Sequence, residues 1–250
     1  MKKLKSTYYF IGRLTPTELC MKFNPREIHL SNGWVIDIFM DGISIWKPGV
    51  AENFDNVRPL IEETIDILVT TFVLITGIQI KHGIHQWVEA KGVKAYSNLI
   101  GWFMPRGWKL VTPNSKNRLN SAWRKAGKNC LEIRSSINHR LALMDYKNCI
   151  STYGDDVFFY AYRIIEDIRR AVTEHLPDGL DDKKYWSEMH KILETSEKMI
   201  RPLTEVATRI RHGDVNNAIV TKARNNKKHI IEIAFNVMKR EFKRKFKGLM

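Results

Sequence analysis

An arginine and a histidine stand side by side where a helix is predicted to end. The segment reads Arg209-Ile210-Arg211-His212-Gly213. A histidine that titrates near neutral pH can accept a proton from a ribose 2′-hydroxyl or donate one to a leaving oxygen. A neighbouring guanidinium can hold the phosphate and the charge that develops on it. The pair favours phosphate chemistry, with His212 as general acid-base and Arg211 at the scissile phosphate.

The same segment also has a purely structural interpretation. Basic side chains in the last turn of a helix interact favourably with the negative end of its dipole. Gly213 can adopt the left-handed conformation that ends many helices. The three residues would then form a helix terminus with no catalytic role.

A second polar group precedes this segment, in Tyr162-Arg163-Ile164-Ile165-Glu166. Arg163 and Glu166 lie three residues apart and so share a face of a helix predicted from residue 155 to about 175. One interpretation is a solvent-exposed ion pair. The other is a polar pair directed across a bundle at Arg211 and His212, which it would help to position.

Basic charge is concentrated in two blocks of a chain whose net charge is +14. Residues 105–150 and residues 222–250 each contain ten basic and two acidic side chains. This pattern predicts a polyanionic partner, nucleic acid first and a membrane surface second, although a basic surface also serves solubility. The candidate nucleic-acid contacts are Arg106, Lys109, Lys116, Arg118, Arg124, Lys125, Lys243 and Arg244.

Aromatic side chains accompany both basic blocks. Trp108 and Trp123 could stack on unpaired bases or dock on the protein's own core. Residues 239–247 read KREFKRKFK, which is typical of a basic amphipathic end that lies on nucleic acid, on anionic lipid or on its own bundle. Membrane attachment is the weakest of these three interpretations.

Common catalytic and metal-binding motifs are absent from the sequence. It contains no HExxH, P-loop, GxGxxG or GxSxG motif, and His82 and His85 would face opposite sides of a predicted strand. We therefore predict no metal and no cofactor. Three cysteines without CxxC spacing, and no signal peptide, predict a reducing, cytoplasmic setting. The most apolar run, residues 67–75, is too short to span a bilayer.

Periodicity and turn signals predict an α+β fold. Short strands separated by Asn32-Gly33 and Asp41-Gly42 indicate a small antiparallel sheet, followed by one long helix at residues 56–76. Further helices from residue 135 indicate an up-and-down helical bundle. We predict an N-terminal domain at residues 1–104, a basic connecting segment at 105–134 and the bundle at 135–250.

A recurring pattern links the later helices. It consists of Tyr162-Arg163-x-x-Glu166, then Trp186, then Arg211-His212-Gly213, then an apolar stripe from Ile233-Ala234 to Val237. Over residues 157–246 the chain resembles HEPN (higher eukaryotes and prokaryotes nucleotide-binding) domains, and more closely a set of prokaryotic proteins with this pattern. The resemblance implies a helical bundle that acts on or binds RNA.

Many HEPN domains are metal-independent ribonucleases of defence or toxin–antitoxin systems. They act as dimers that join an arginine and a histidine from each copy, so the resemblance implies a homodimer and an antitoxin or other protein partner. Their arginine stands four to six residues before the histidine, whereas Ala207 and Thr208 stand five and four residues before His212. Other HEPN members only bind RNA or nucleotides, or dimerise. The alternative is thus a non-catalytic binding or dimerisation module.

Overall fold

The computed structural model describes residues 8–15, 26–39, 42–47, 54–78, 80–89, 92–95 and 116–250. These residues form two compact units, of which the first ends at Arg134 and the second runs from Ser135 to Gly248. The first unit is α+β and the second is a helical bundle. The predicted fold class is therefore confirmed.

The sheet of the first unit has the strand order β2-β3-β4-β1-β5-β6, and every neighbouring pair is antiparallel. Its strands are β1 Tyr8–Thr15, β2 Arg26–His29, β3 Val35–Phe39, β4 Gly42–Lys47, β5 Lys81–Glu89 and β6 Gly92–Ala95. The predicted Asn32-Gly33 turn joins β2 to β3, with Gly33 at φ +85°. The second predicted turn includes Asp41, which lies outside the described residues.

Helix α1, Phe54–Thr76, supplies much of the core of this unit. Residues 67–74 are all buried, so the apolar run is a core helix as predicted. Gly77 ends the helix at φ +70°, and its N–H donates to the Val73 carbonyl.

Helix α2, Lys116–Ser135, occupies most of the predicted connecting segment. That prediction is wrong for these residues, because a buried stripe runs along the helix through Leu119, Trp123, Ala126 and Cys130. Trp123 is fully buried and stacks on Phe72 of α1, with ring centroids 4.0 Å apart. Trp123 therefore docks on the core and does not present its ring to bases. Trp108 lies outside the described residues.

Six helices form the described part of the bundle. They are α3 Ile137–Ser151, α4 Asp156–Val172, α5 Asp182–Leu193, α6 Glu197–Arg211, α7 Ala218–Asn225 and α8 Lys227–Lys245. The last part of the chain forms two helices, α7 and α8, since the backbone leaves the helical region at Asn226. α4 packs against α3, α5, α6 and α8, so it lies at the centre and positions both polar clusters described below.

Candidate functional site

The end of α6 has the hydrogen-bond pattern that a C-terminal glycine produces. The Asp214 N–H donates to the Arg209 carbonyl at 3.0 Å, and the Gly213 N–H donates to the Ile210 carbonyl at 3.0 Å. Gly213 adopts a φ of +76°. These two bonds and this angle define a Schellman motif. The predicted left-handed cap is confirmed.

The side chains of Arg211 and His212 both lie exposed on this terminus. No acidic side chain among the described residues pairs with either of them. Arg209, one turn before His212, is engaged instead, because its Nη1 lies 3.3 Å from Oδ2 of Asp214. The terminus thus leaves one guanidinium and one imidazole accessible to a ligand.

Arg211 lies within electrostatic range of Tyr162 on α4. Burial raises the pKa of Tyr162 to about 12, assisted by the charge of Glu166 and by a hydrogen bond to it. The positive charges of Arg169 and Arg211 oppose this rise. Tyr162 therefore interacts both with Glu166 on its own helix and, electrostatically, with Arg211. We call these three residues with Arg169 the open cluster.

Arg169 extends the open cluster to α5. Its guanidinium carbon lies 4.8 Å from the centre of the Trp186 ring, and its Nη1 donates to Asp182. Trp186 also donates to Asp182, at 3.0 Å. The sequence prediction did not include Arg169. Its spacing, three residues after Glu166 and seven after Tyr162, places it on their face of the helix and could have identified it.

Arg163 points away from the open cluster. Its Nε lies 3.0 Å from Oδ2 of Asp145 on α3, and its guanidinium lies 5.8 Å from the centre of the Phe159 ring. The prediction that Arg163 and Glu166 form one polar pair is therefore wrong, in both its ion-pair and its catalytic form. The reason is a buried carboxylate on a neighbouring helix, Asp145, which pairs with Arg163 in place of the half-buried Glu166.

Asp145 belongs to a second set of charged residues, the closed cluster, formed by Asp145, Asp167, Arg163 and Arg170. The two carboxyl groups are 2% and 3% exposed and hydrogen-bond to each other. Burial raises the pKa of Asp145 to about 6 against the opposing charge of Arg163, and burial also raises the pKa of Asp167. Two neighbouring buried carboxyls cannot both ionise easily, and the guanidinium groups of Arg163 and Arg170 partly offset this effect.

The predicted nucleic-acid contacts fall into three groups. Arg106 and Lys109 lie outside the described residues. Four others belong to α2, namely Lys116, Arg118, Arg124 and Lys125. Of these, Arg118 and Arg124 are exposed.

The third group lies on α8. Lys243 is exposed and shares a face of the helix with exposed Lys239, four residues earlier. Arg244 differs, because it donates two hydrogen bonds to the buried carboxylate of Glu241, at 2.6 and 2.9 Å. Its guanidinium therefore has an internal role that a nucleic-acid contact would have to compete with.

Two further observations concern metals and membranes. Within residues 8–15, 26–39, 42–47, 54–78, 80–89, 92–95 and 116–250, no three His, Cys, Asp or Glu side chains cluster as metal ligands would. His82 binds Asp66 instead, with Nε2 2.5 Å from Oδ1. In the same part of the chain, no helix is both long and apolar enough to cross a bilayer.

Residues 124–244 match a family model. This segment is similar to the C-terminal domain of DUF8168, a domain of unknown function. The DUF8168-like segment contains the open cluster, the closed cluster and the Arg211-His212 terminus. Searches among curated proteins and among solved structures found no match.

Proposed function

We propose that this is a cytoplasmic, RNA-directed protein of HEPN type that holds an RNA phosphate at the end of α6. Arg211 and His212 are the contacts. The observation that supports this proposal best is their shared exposure without an acidic partner, beside the Tyr162–Glu166 pair. An arginine in this state can donate two parallel hydrogen bonds to a phosphate.

The catalytic form of the proposal adds a role for His212. It takes the proton of the ribose 2′-hydroxyl and returns one to the leaving 5′-oxygen, while Arg211 stabilises the phosphate charge. The products are a 2′,3′-cyclic phosphate and a 5′-hydroxyl. DNA is then inert because it lacks the attacking hydroxyl, and EDTA has no effect because no metal takes part.

An open surface terminus excludes water poorly, and enclosure strengthens electrostatic catalysis. We propose that a second copy of the chain completes the site, so that two Arg211-His212 termini face one RNA strand. Tyr162 of α4 lies within electrostatic range of Arg211. Arg163 has no part in this site, since it is bound to Asp145.

The alternative is a module that binds RNA or a protein partner without cleaving. A specific observation favours it, because the Schellman motif explains the Arg-His-Gly segment fully as a helix terminus. In this form Arg211 contributes to affinity and His212 contributes no chemistry.

Incubation of a mixed RNA pool with the wild type, Arg211→Ala and His212→Ala in the presence of EDTA tests both forms. His229→Ala is the matched control, since His229 is also exposed, on α8. Cleavage that is lost in His212→Ala and kept in His229→Ala supports the ribonuclease. Salt-sensitive RNA retention without cleavage, weakened by Arg211→Ala, supports the binding module. RNA that neither binds nor is cleaved contradicts the ribonuclease and the RNA-binding module, and leaves only the module that binds a protein partner.

A further inference from the structure

A chain of hydrogen-bonded side chains begins at the N-terminus of α3 and ends on α8. The Ser136 Oγ lies 2.7 Å from Nδ1 of His139, and His139 Nε2 lies 3.0 Å from Oε1 of Glu241. His139 is 1% exposed and Glu241 is fully buried, whereas Ser136 is partly exposed. We call these three residues the serine chain. It shares no residue with the open or the closed cluster.

The surroundings of Glu241 favour its ionised form, and with it the tautomer of His139 that donates to Glu241. Burial raises the pKa of Glu241, but hydrogen bonds from His139 and Arg244 and the charge of Arg244 outweigh this effect and lower it overall. Glu241 is therefore a carboxylate that accepts from the Nε2–H of His139. In the tautomer of His139 that donates its Nε2–H to Glu241, Nδ1 accepts from the Ser136 hydroxyl. This is the proton arrangement in which an imidazole acts as a general base toward a serine.

Ser136 stands at a backbone position where a serine hydroxyl usually caps the helix. Ser136 is the N-cap of α3, with extended φ and ψ of −94° and 108°, yet its side chain makes no capping hydrogen bond. Ser196 occupies the same position at α6, and its hydroxyl does accept from the Met199 N–H. A serine side chain at this position usually stabilises a helix by accepting from a first-turn N–H. The Ser136 hydroxyl bonds to His139 instead.

Two features beside Ser136 match an acyl substrate. Because the serine side chain does not cap α3, it leaves the first-turn N–H groups as donors for a developing oxyanion next to Oγ. The neighbouring Ile137 is 63% exposed, and Met144, seven residues later on the same helix face, is 54% exposed. These two side chains offer an apolar surface for an acyl chain.

We propose that Ser136 is an activated nucleophile for carboxylic esters with an apolar acyl group, and that His139 is its base. The Ser136 oxygen forms a bond to the acyl carbon as its proton passes to His139 Nδ1. The ester C–O bond breaks, and the alcohol leaves with that proton. Water then attacks the acyl-serine in the same way and releases the acid. Glu241 is a positioning residue that holds the imidazole through Nε2.

A fluorophosphonate probe, which labels nucleophilic serines, tests the proposal on the full chain. Wild-type protein should be labelled at Ser136, as located by peptide mass spectrometry, and should hydrolyse p-nitrophenyl butyrate. Ser136→Ala should lose both activities, and the capping-serine control Ser196→Ala should keep both. Unlabelled Ser136 in folded wild-type protein, or labelling equal in wild type and Ser136→Ala, would overturn the proposal.

Variants of the other two residues separate chemistry from packing. His139→Ala should be labelled at least tenfold more slowly, and added imidazole should restore part of that rate but none in Ser136→Ala. Glu241→Gln should also slow labelling, with partial recovery in Glu241→Asp, because Nε2 requires the carboxylate. Labelling of folded His139→Ala at the wild-type rate would show that the serine chain serves only to fasten α3 to α8.

Discussion

Two faces of α4 carry arginines and acidic residues that differ in burial and in pairing. On one side, the closed cluster buries two carboxyls and neutralises them with Arg163 and Arg170, both within 3.0 Å. On the other side, the open cluster leaves Arg211 exposed beside Tyr162 and Glu166. Buried charges must be paired to be tolerated, whereas an exposed cation remains available to a ligand. The difference separates arginines that pair with buried carboxyls from an arginine that remains accessible to the ligand proposed above.

The largest effect is expected from Arg163→Ala in the closed cluster. The substitution removes the cation that faces the buried Asp145 carboxyl, so the free energy of unfolding should fall by about 1–3 kcal/mol at pH 7. Urea unfolding followed by circular dichroism measures this change. RNA retention by the protein that remains folded should be unaltered. A variant as stable as the wild type would remove the distinction between the two clusters.

The pH dependence of stability is the next test of the closed cluster. The pKa of Asp145 is raised from 3.8 to about 6, so the folded chain binds more protons than the unfolded chain between these values. Stability should therefore fall by about 1–2 kcal/mol as the pH rises from 5 to 7, and return as the pH falls. Asp145→Asn carries no titrating proton and should remove most of this change, as measured by urea unfolding at pH 5 and pH 7.

Asp155 is the control for this prediction because its shift has the opposite sign. A hydrogen bond from Arg224 lowers the pKa of Asp155. Its contribution to stability is therefore present above the ordinary pKa of aspartate and is lost as the pH falls. Asp155→Asn should leave the change between pH 5 and pH 7 intact. An equal effect of the two substitutions would show that the slope does not come from the closed cluster.

The two clusters also show which structural features can be predicted from the sequence and which cannot. The 3.6-residue period of Phe158, Ala161, Ile165, Ile168 and Val172 predicted the buried stripe of α4, and all five residues are buried. The direction of a polar side chain beside such a stripe depends on the neighbouring helix. Arg163 turns away from Glu166 only because Asp145 lies across the α3–α4 contact, which spacing along one helix does not reveal.

Helix α2 was missed for a different physical reason. Its Ser, Asn and Gly residues, Gly127 among them, are typical of a loop. In the structure a Cβ at Gly127 would lie 2.2 Å from Cγ2 of Ile28 on β2, so the glycine permits close packing of helix on strand. The helical spacing of Leu119, Trp123, Ala126 and Cys130 was the stronger signal.

A smaller effect is expected at the cap that presents Arg211. Gly213 adopts a φ of +76°, and a Cβ there would meet nothing within 4 Å. Gly213→Ala should therefore cost only the strain of the left-handed conformation, about 1 kcal/mol in unfolding free energy. Thermal melts beside a Gly179→Ala control, which has φ +83° and equally open surroundings, test this. RNA retention weakened in Gly213→Ala alone would show that the cap serves the site.

The smallest stability effect, and the largest effect on RNA, is expected from Arg211→Ala and His212→Ala. Both side chains are exposed and have no acidic partner among the described residues, so each substitution should change the unfolding free energy by no more than about 0.5 kcal/mol. Arg211→Ala should nonetheless weaken RNA retention and reduce its dependence on salt, because one phosphate contact is lost. Filter binding at several salt concentrations measures both quantities. If Arg211→Ala destabilised the fold as much as Arg163→Ala does, Arg211 would be a structural arginine. Its side chain would then not be available to bind RNA.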